Sequence, residues 1–243
     1  MECHQLGNQT IYPIAPLEEY LGALDLAPRL EGSDQRLILA IGDAGVGKTV
    51  GARLYSRDSD RRAIYLPLPP AEALRPRDLL GLLGDPVGIT FDLHRPRHEA
   101  AYQLAQDSLS RPRIFLLDDG QAMQKRGLLD IIRWLHDTGG HTFLLVGSYS
   151  LERAFLDRHD LGGRVALRHQ LRLPTVEEIA PLFEGLPDEA IDQIHRETAG
   201  RMRQVMAVKR WLEELSEQRK LDPSDLTAQQ VQMVARHFMV RAA

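Results

Sequence analysis

The apolar run Leu37-Ile38-Leu39-Ala40-Ile41 passes without a break into Gly42-Asp43-Ala44-Gly45-Val46-Gly47-Lys48-Thr49. This junction restricts the fold more than any other stretch. Five consecutive apolar residues stopped by glycine read as a buried parallel strand. The eight residues that follow fit G-x-x-x-x-G-K-[S/T] at every fixed position. Glycine is needed there because backbone N–H groups must wrap closely around phosphate oxygens, at φ values that side chains disfavour. Lys48 then reaches the β- and γ-phosphates, and the Thr49 hydroxyl ligates Mg²⁺. Val50-Gly51-Ala52-Arg53-Leu54-Tyr55 can continue as a helix whose N-terminal dipole faces the anion. Gly42, Asp43, Ala44, Gly45, Val46, Gly47, Lys48, Thr49 and Val50 are therefore the candidate nucleotide-binding residues. The competing reading is a Gly-rich turn with an incidental lysine, and the strand and helix on either side weigh against it.

A chain of 243 residues suffices for one large domain or for a core with a small appendage. With 43% hydrophobic and 26% charged residues, disorder is not expected. The single Cys3 excludes an internal disulfide and points to a reducing cytoplasm. No apolar run approaches the roughly 20 residues of a membrane span. Met1-Glu2-Cys3-His4-Gln5 also lacks the features of a signal peptide. The expected location is the cytoplasm, away from membranes. A net charge of −4 argues against indiscriminate coating of nucleic acid. Yet 26 of the 30 basic residues are arginines. Arginine suits phosphate forks and inter-subunit contacts, and is also what a GC-rich genome would encode.

Residues 1–36 read as an extended arm with one helix through Leu17–Leu24. Ala63-Ile64-Tyr65-Leu66-Pro67-Leu68 predicts a second strand, stopped by Pro69 and Pro70. Helical patterns run through Pro76–Leu83 and Arg97–Ser110, and the region between the second and third strands carries Arg75, Arg77, Arg95 and Arg97. Ile114-Phe115-Leu116-Leu117-Asp118-Asp119 is a buried strand that ends in two carboxylates. Asp118 is placed for the Mg²⁺ shell and Asp119 for polarising the attacking water; a turn or helix cap is the alternative. A helix over Leu128–Leu135 leads to a fourth strand, Thr142–Gly147, with Ser148 at its carboxyl end. There a hydroxyl can sense the γ-phosphate, or it can cap the helix that follows. His169–Leu173 predicts a fifth strand, closed by Pro174. From Thr175 the pattern is helical, opened by the capping box Thr175-Val176-Glu177-Glu178. Helices are expected near 188–198, 202–219 and 227–240. This divides the chain into an arm (1–36), an α/β core (37–174) and a helical lid (175–243).

These features together resemble an AAA+ ATPase: the loop, a strand ending in paired acids, a polar residue ending the next strand, an Arg before the last strand, and Gly200-Arg201-Met202-Arg203 in the helical C-terminus. The loop GDAGVGKT and the strand FLLVGS are similar to the transposition-regulator branch, the TnsC, TniB and MuB type. The resemblance covers residues 30–210. It implies a five-stranded, mainly parallel sheet in the order 5-1-4-3-2 with a small helical lid, and ATP with Mg²⁺ as cofactors. The expected activity is slow ATP hydrolysis. The expected partners are double-stranded DNA bound without regard to sequence, a transposase, a target-selection protein and further copies of the chain, as a filament or a hexameric or heptameric ring. A bacterial or phage origin follows from the same resemblance. Arg164 matches the arginine that reaches a neighbour's γ-phosphate, with Arg158 as competitor, and Arg203 matches the lid arginine. The catalytic set is then Lys48, Asp118, Asp119, Ser148, Arg164 and Arg203, and the metal ligands are Thr49 and Asp118. Arg75, Arg77, Arg95 and Arg97 are the candidate DNA contacts. The chain departs from the family in having Asp119 where glutamate is usual, and in lacking an evident helix-turn-helix. A signalling or secretion ATPase of the ExeA or STAND type, acting on protein partners without DNA, is the alternative. A small-molecule kinase is disfavoured by the lid-like C-terminus.

Overall fold

The computed structural model describes residues 3–7, 9–57, 62–91, 97–124, 127–219 and 226–240. It divides into two compact units. One comprises Tyr20–Asp43 and Lys48–Gln170, the other Met1–Glu19, Ala44–Gly47 and Leu171–Ala243.

The N-terminal segment forms β1 (His4–Leu6) and β2 (Gln9–Ile11), an antiparallel hairpin turning at Gly7 with φ 63°. An extended arm was expected there. The strands are only three residues long, too short for an alternation signal, and Gly7 was the available clue. Helix α1 follows over Ala15–Leu24.

The larger unit is built on five strands: β3 (Leu37–Ile41), β4 (Ala63–Pro67), β5 (Ile114–Asp118), β6 (Thr142–Gly147) and β7 (Val165–Gln170). Their order is β4-β5-β6-β3-β7, and every pairing is parallel. Numbered within the sheet, this is the expected 5-1-4-3-2. All residues of β3, β5 and β6 are buried, as a sheet covered on both faces requires. One face buries Leu37, Leu39, Phe115, Leu117, Phe143 and Leu145 in a single cluster with Leu79, Leu104, Ile132 and Leu151. Those come from helices α3 (Pro76–Gly84), α4 (Arg97–Ser110), α5 (Leu128–Thr138) and α6 (Tyr149–Leu156). Helix α2 (Lys48–Ser56) packs on β4, β5 and β6 with Ala52 and Tyr55 buried. Phe115 and Phe143 are fully buried and stack at 5.8 Å; truncating either to alanine would cost about 3–5 kcal/mol.

Strand β7 departs from expectation. It occupies Val165–Gln170, four residues earlier than the His169–Leu173 read from the sequence, with Leu37 aligned to Val165 and Ile41 to Gln170. As an edge strand it leaves its side chains partly or fully exposed, so it lacks the unbroken apolar run that marks β3, β5 and β6. A short helix, α7 (His159–Gly162), precedes it.

In the other unit Thr175 caps α8 (Val176–Ile179). Its N–H donates to Glu178 Oε2 at 2.8 Å, and Glu178 N–H donates to Thr175 Oγ1 at 3.4 Å. This is the expected reciprocal box. Helices α9 (Asp188–Thr198), α10 (Met202–Arg219) and α11 (Ala228–Val240) follow. Ala199 and Gly200, both at positive φ, separate the first two. Among the described residues no helix is long and apolar enough to cross a membrane.

Candidate functional site

Because the sheet is wholly parallel, β3, β5 and β6 deliver their carboxyl ends to one edge. There Ile41 pairs with Gly147, and Leu117 with Leu145. Gly42 thus leaves the sheet beside Ser148, and Asp118 stands two strands from β3, roughly 10 Å away.

The loop leaves β3 with Gly45 at φ 85° and Gly47 at φ 106°, and α2 begins at Lys48. These left-handed values are what require glycine at both positions. The Lys48 ammonium donates to the carbonyls of Gly42 at 2.8 Å and Asp43 at 2.7 Å. It is thereby curled over its own loop, with donors that phosphate oxygens would compete for. Among the described residues the Thr49 hydroxyl has no hydrogen-bond partner, and it lies in the first turn of α2 next to Val50. Asp43 and Ala44 are exposed, whereas Val46 is buried. Within the smaller unit, the Arg203 N–H donates to the Gly45 carbonyl at 3.3 Å, and a methyl added to Gly45 would meet Arg203 Cβ at 3.4 Å. The Arg203 side chain is exposed. Glycines that clear the backbone, an amine and a hydroxyl at a helix N-terminus, and a buried carboxylate two strands away fit a nucleoside triphosphate with its divalent cation.

Asp118 ends β5 with 4% exposure. Its Oδ2 accepts the Tyr65 hydroxyl at 2.8 Å and its Oδ1 accepts the Asp119 N–H at 3.0 Å. Tyr65 comes from β4, where it pairs with Leu116, and the Arg53 guanidinium lies over its ring at 5.2 Å. Burial pushes the Tyr65 hydroxyl above the usual tyrosine range, so it stays protonated and donates to the carboxylate. Sequence reading missed this partner. In the sequence Tyr65 is merely one aromatic residue in a strand, and only the β4–β5 register brings it to Asp118.

Asp119 is exposed and adopts φ 57°. Its carbonyl accepts the Ala122 N–H at 2.9 Å, which opens a 3₁₀ turn over Gly120–Gln124. Aspartate and asparagine tolerate this left-handed conformation better than other side chains do. The departure from glutamate at position 119 therefore has a local backbone reason.

Ser148 follows β6 and stands at the N-cap of α6, yet its hydroxyl makes no capping bond. Its Oγ lies 2.9 Å from Ser150 Oγ, and its N–H donates to Gln121 Oε1 at 3.3 Å. Gln121 Nε2 in turn donates to Asp119 Oδ1 at 3.1 Å. Gln121 is the second group the sequence did not disclose, because its partners lie 2 and 27 residues away.

The arginines lie elsewhere. Arg164 immediately precedes β7 and so stands at the amino end of the sheet. Its guanidinium grips Asp137 with two bonds, of 2.5 and 2.7 Å, and also donates to the Asp160 carbonyl. Arg158 pairs with Asp130 at 2.5 Å and Asp160 at 2.9 Å, and Asp160 also receives Arg133 at 3.0 Å. Both trans-arginine candidates are thus tied to acids of their own chain, Arg164 on the opposite edge of the sheet from the phosphate loop. Arg75 is exposed at the N-cap of α3, with its N–H donating to Asp78 Oδ2 at 2.9 Å, and Arg77 is exposed in the first turn. Arg95 and the Arg97 side chain lie outside the described residues.

A family model described as AAA domain matches residues 30–155. No curated protein matches the sequence. Among solved structures, the Aeropyrum pernix ORC1 protein in complex with DNA is similar at 17% identity and TM-score 0.65, over 93% of this chain and 65% of that one. The Aeropyrum pernix ORC2 protein, solved as ADPNP-ADP complexes, is similar at 13% identity and TM-score 0.69, over 96% and 70%. The Thermotoga maritima RuvB Holliday junction branch migration motor is similar at 15% identity and TM-score 0.57, over 93% and 68%. This chain spans about two thirds of the length of each. With the family model covering more than half of the sequence, and with the loop, the paired acids and the sheet order all in place, the chain belongs to the AAA domain family of AAA+ ATPases.

Proposed function

We propose that this protein is an ATP-dependent AAA+ assembly factor acting on double-stranded DNA, of the TnsC/TniB/MuB type, which recruits or activates a transposase at the target site. The observation that carries the reading is the convergence of the loop, Asp118–Asp119 and Ser148 on one edge of a 5-1-4-3-2 sheet. In this reading the loop N–H groups and Lys48 hold the phosphates of ATP, and Thr49 and Asp118 hold Mg²⁺, which would neutralise charge on the β- and γ-oxygens. Tyr65 fixes the Asp118 carboxylate from the side away from Asp119. Asp119 orients and polarises the water that attacks, and Ser148 faces the terminal phosphate. Arg203 acts in cis from the lid formed by residues 175–243, for which its backbone bond to Gly45 is the support. Arg164 stands one strand length, about 16 Å, from the carboxyl edge. It therefore serves a neighbouring subunit's site, exchanging Asp137 for phosphate on assembly. The DNA assignment is supported by fold relatives described as a DNA complex and as a Holliday junction motor, with exposed Arg75 and Arg77 as backbone-phosphate contacts.

The test is binding of random-sequence duplex DNA with Mg·ATP, Mg·ADP or no nucleotide, across a salt series, with electron microscopy of the same mixtures. Binding only with ATP, falling steeply with salt, together with regular filaments or rings, is the expected result. No DNA binding at low salt in any nucleotide state would overturn the DNA reading and leave an ATPase acting on protein partners.

A further inference from the structure

Gly147 ends β6 without a left-handed φ, so its backbone conformation does not call for glycine, and glycine weakens a strand. Its neighbours supply the reason. A methyl added there would lie 2.8 Å from Gln121 Oε1 and 2.9 Å from Leu151 Cδ2. A methyl at Gly120 would lie 2.9 Å from the same Leu151 atom and 3.2 Å from the Val146 carbonyl. Two glycines on facing segments thus clear a slot, and the half-buried Gln121 carboxamide passes along it. At one end Nε2 donates to Asp119 Oδ1 at 3.1 Å; at the other Oε1 accepts the Ser148 N–H at 3.3 Å. Only one amide orientation satisfies both contacts, because the carboxylate needs a donor and the N–H needs an acceptor. The amide supplies one of each from a single flexible arm: glutamate would set two carboxylates against each other, and leucine would serve neither.

We propose that Gln121 is the positioning residue of this site. Its carboxamide fixes the Asp119 carboxylate and couples it to the backbone at Ser148, so that the acid and the end of β6 move as one. The left-handed turn aims a short side chain, and the amide holds that aim. A carboxylate oxygen bonded to Nε2 leaves the other, Oδ2, to face the water. The proposal rests on the ATPase reading above and adds a residue which that reading does not require.

The experiment uses the full chain and measures equilibrium ATP affinity and steady-state Mg·ATP hydrolysis from pH 5.5 to 8.5 for the wild type, Gln121→Leu and Gln121→Glu. At pH 8 kcat is expected to fall about 10- to 100-fold in both variants, the scale of a misplacement near 1 Å, while KM and ATP affinity stay within twofold. The glutamate variant carries its own signature. As the introduced carboxyl takes up a proton it regains an O–H donor for Asp119, so its kcat relative to wild type rises as pH falls, whereas the leucine variant stays flat. Gln121→Glu is nearly isosteric and decides the matter should Gln121→Leu fail to fold. Either of two results overturns the proposal: kcat within twofold of, or above, wild type in both variants, or a parallel loss of ATP affinity and kcat. A wild type that binds no ATP would remove the ATPase reading itself, whereas an active wild type indifferent to Gln121 removes only this inference.

Discussion

The two edges of the parallel sheet treat polar groups in opposite ways. At the amino edge each strand is preceded by a cationic or imidazole residue: Arg62, Arg113, His141, Arg36 and Arg164 across the sheet from β4 to β7. Arg36, only 8% exposed, donates its guanidinium to the carbonyls of Ser33, His136, Gly139 and His141. It thereby closes the carboxyl end of α5, whose orphan carbonyls and dipole favour a cation. From there a relay of bonds runs outward. The Arg36 N–H meets His136 Nε2 at 3.2 Å, His136 Nδ1 meets Asp137 at 2.9 Å, and Asp137 receives Arg164. At the carboxyl edge, by contrast, Lys48 donates to carbonyls of its own loop, the Thr49 hydroxyl has no hydrogen-bond partner among the described residues, and Asp119 adopts a left-handed φ. One edge uses its polar groups for stability and the other keeps them available for a ligand.

The largest effect that could break this comparison is expected from Arg36→Met. Four carbonyls would lose their donor inside the fold, at a cost of about 3–5 kcal/mol. The melting temperature should drop by roughly 6–20 °C, while ATP affinity of the folded variant stays within twofold. A loss of affinity without a loss of stability would mean that the edges are not separate. Lys48→Ala should do the reverse, weakening ATP binding about 100-fold, or some 2.7 kcal/mol. The ligand-free melting temperature should not move, because the amine serves loop carbonyls that water can satisfy. A variant that unfolds instead would place Lys48 with the stabilising set.

A third effect is one of pH. Burial, with Arg113 and Arg36 nearby, lowers the His141 pKa to about 4, and burial also lowers that of His136. Both are therefore neutral in the fold at pH 7. The unfolded chain takes up their protons first, below its ordinary value near 6.5, so stability falls as pH drops from about 6.5 to 4. The His141 share is on the order of 3 kcal/mol. Melting curves over this window should flatten for His141→Asn; an unchanged slope would assign the loss to other groups. Smallest is Asp119→Glu, where the left-handed φ favours aspartate and the Gln121 bond holds the shorter acid. Hydrolysis should slow about tenfold, or 1.4 kcal/mol, with ATP affinity intact. Faster hydrolysis would show that reach, and not backbone fit, limits the site.

The sequence disclosed what repeats locally and hid what depends on register. Strands β3, β5 and β6 are continuous apolar runs because both faces are covered, and their ends were read to within a residue. So was the loop, whose chemistry lies within eight adjacent residues. Strand β7 was placed four residues late because one of its edges is unpaired and its burial is partial. Arg36 looked like an ordinary polar residue before a strand, since nothing in its neighbours announces that helix α5 will end above it. Tyr65 reaches Asp118, and Gln121 reaches Ser148, only through pairing between strands some fifty and thirty residues apart in the chain. The left-handed turn at Asp119 was legible in outline, as an aspartate where a longer acid was expected, but its cause was not.

Strand β3 finds no partner near it in sequence: Leu37 pairs with Phe143 on one side and Val165 on the other. During synthesis at about 5–20 residues per second, the most apolar strand of the sheet waits roughly 5–20 seconds for its first neighbour. Closing a loop of that length costs entropy before any contact repays it. The nascent chain therefore carries an unpaired hydrophobic strand and an unformed phosphate loop until the residues of β6 have left the ribosome. Nucleotide cannot help the early stages of folding. It can only select among chains that have already brought the two halves of the sheet together, and chaperone dependence should be set by β3 and not by the site it ends in.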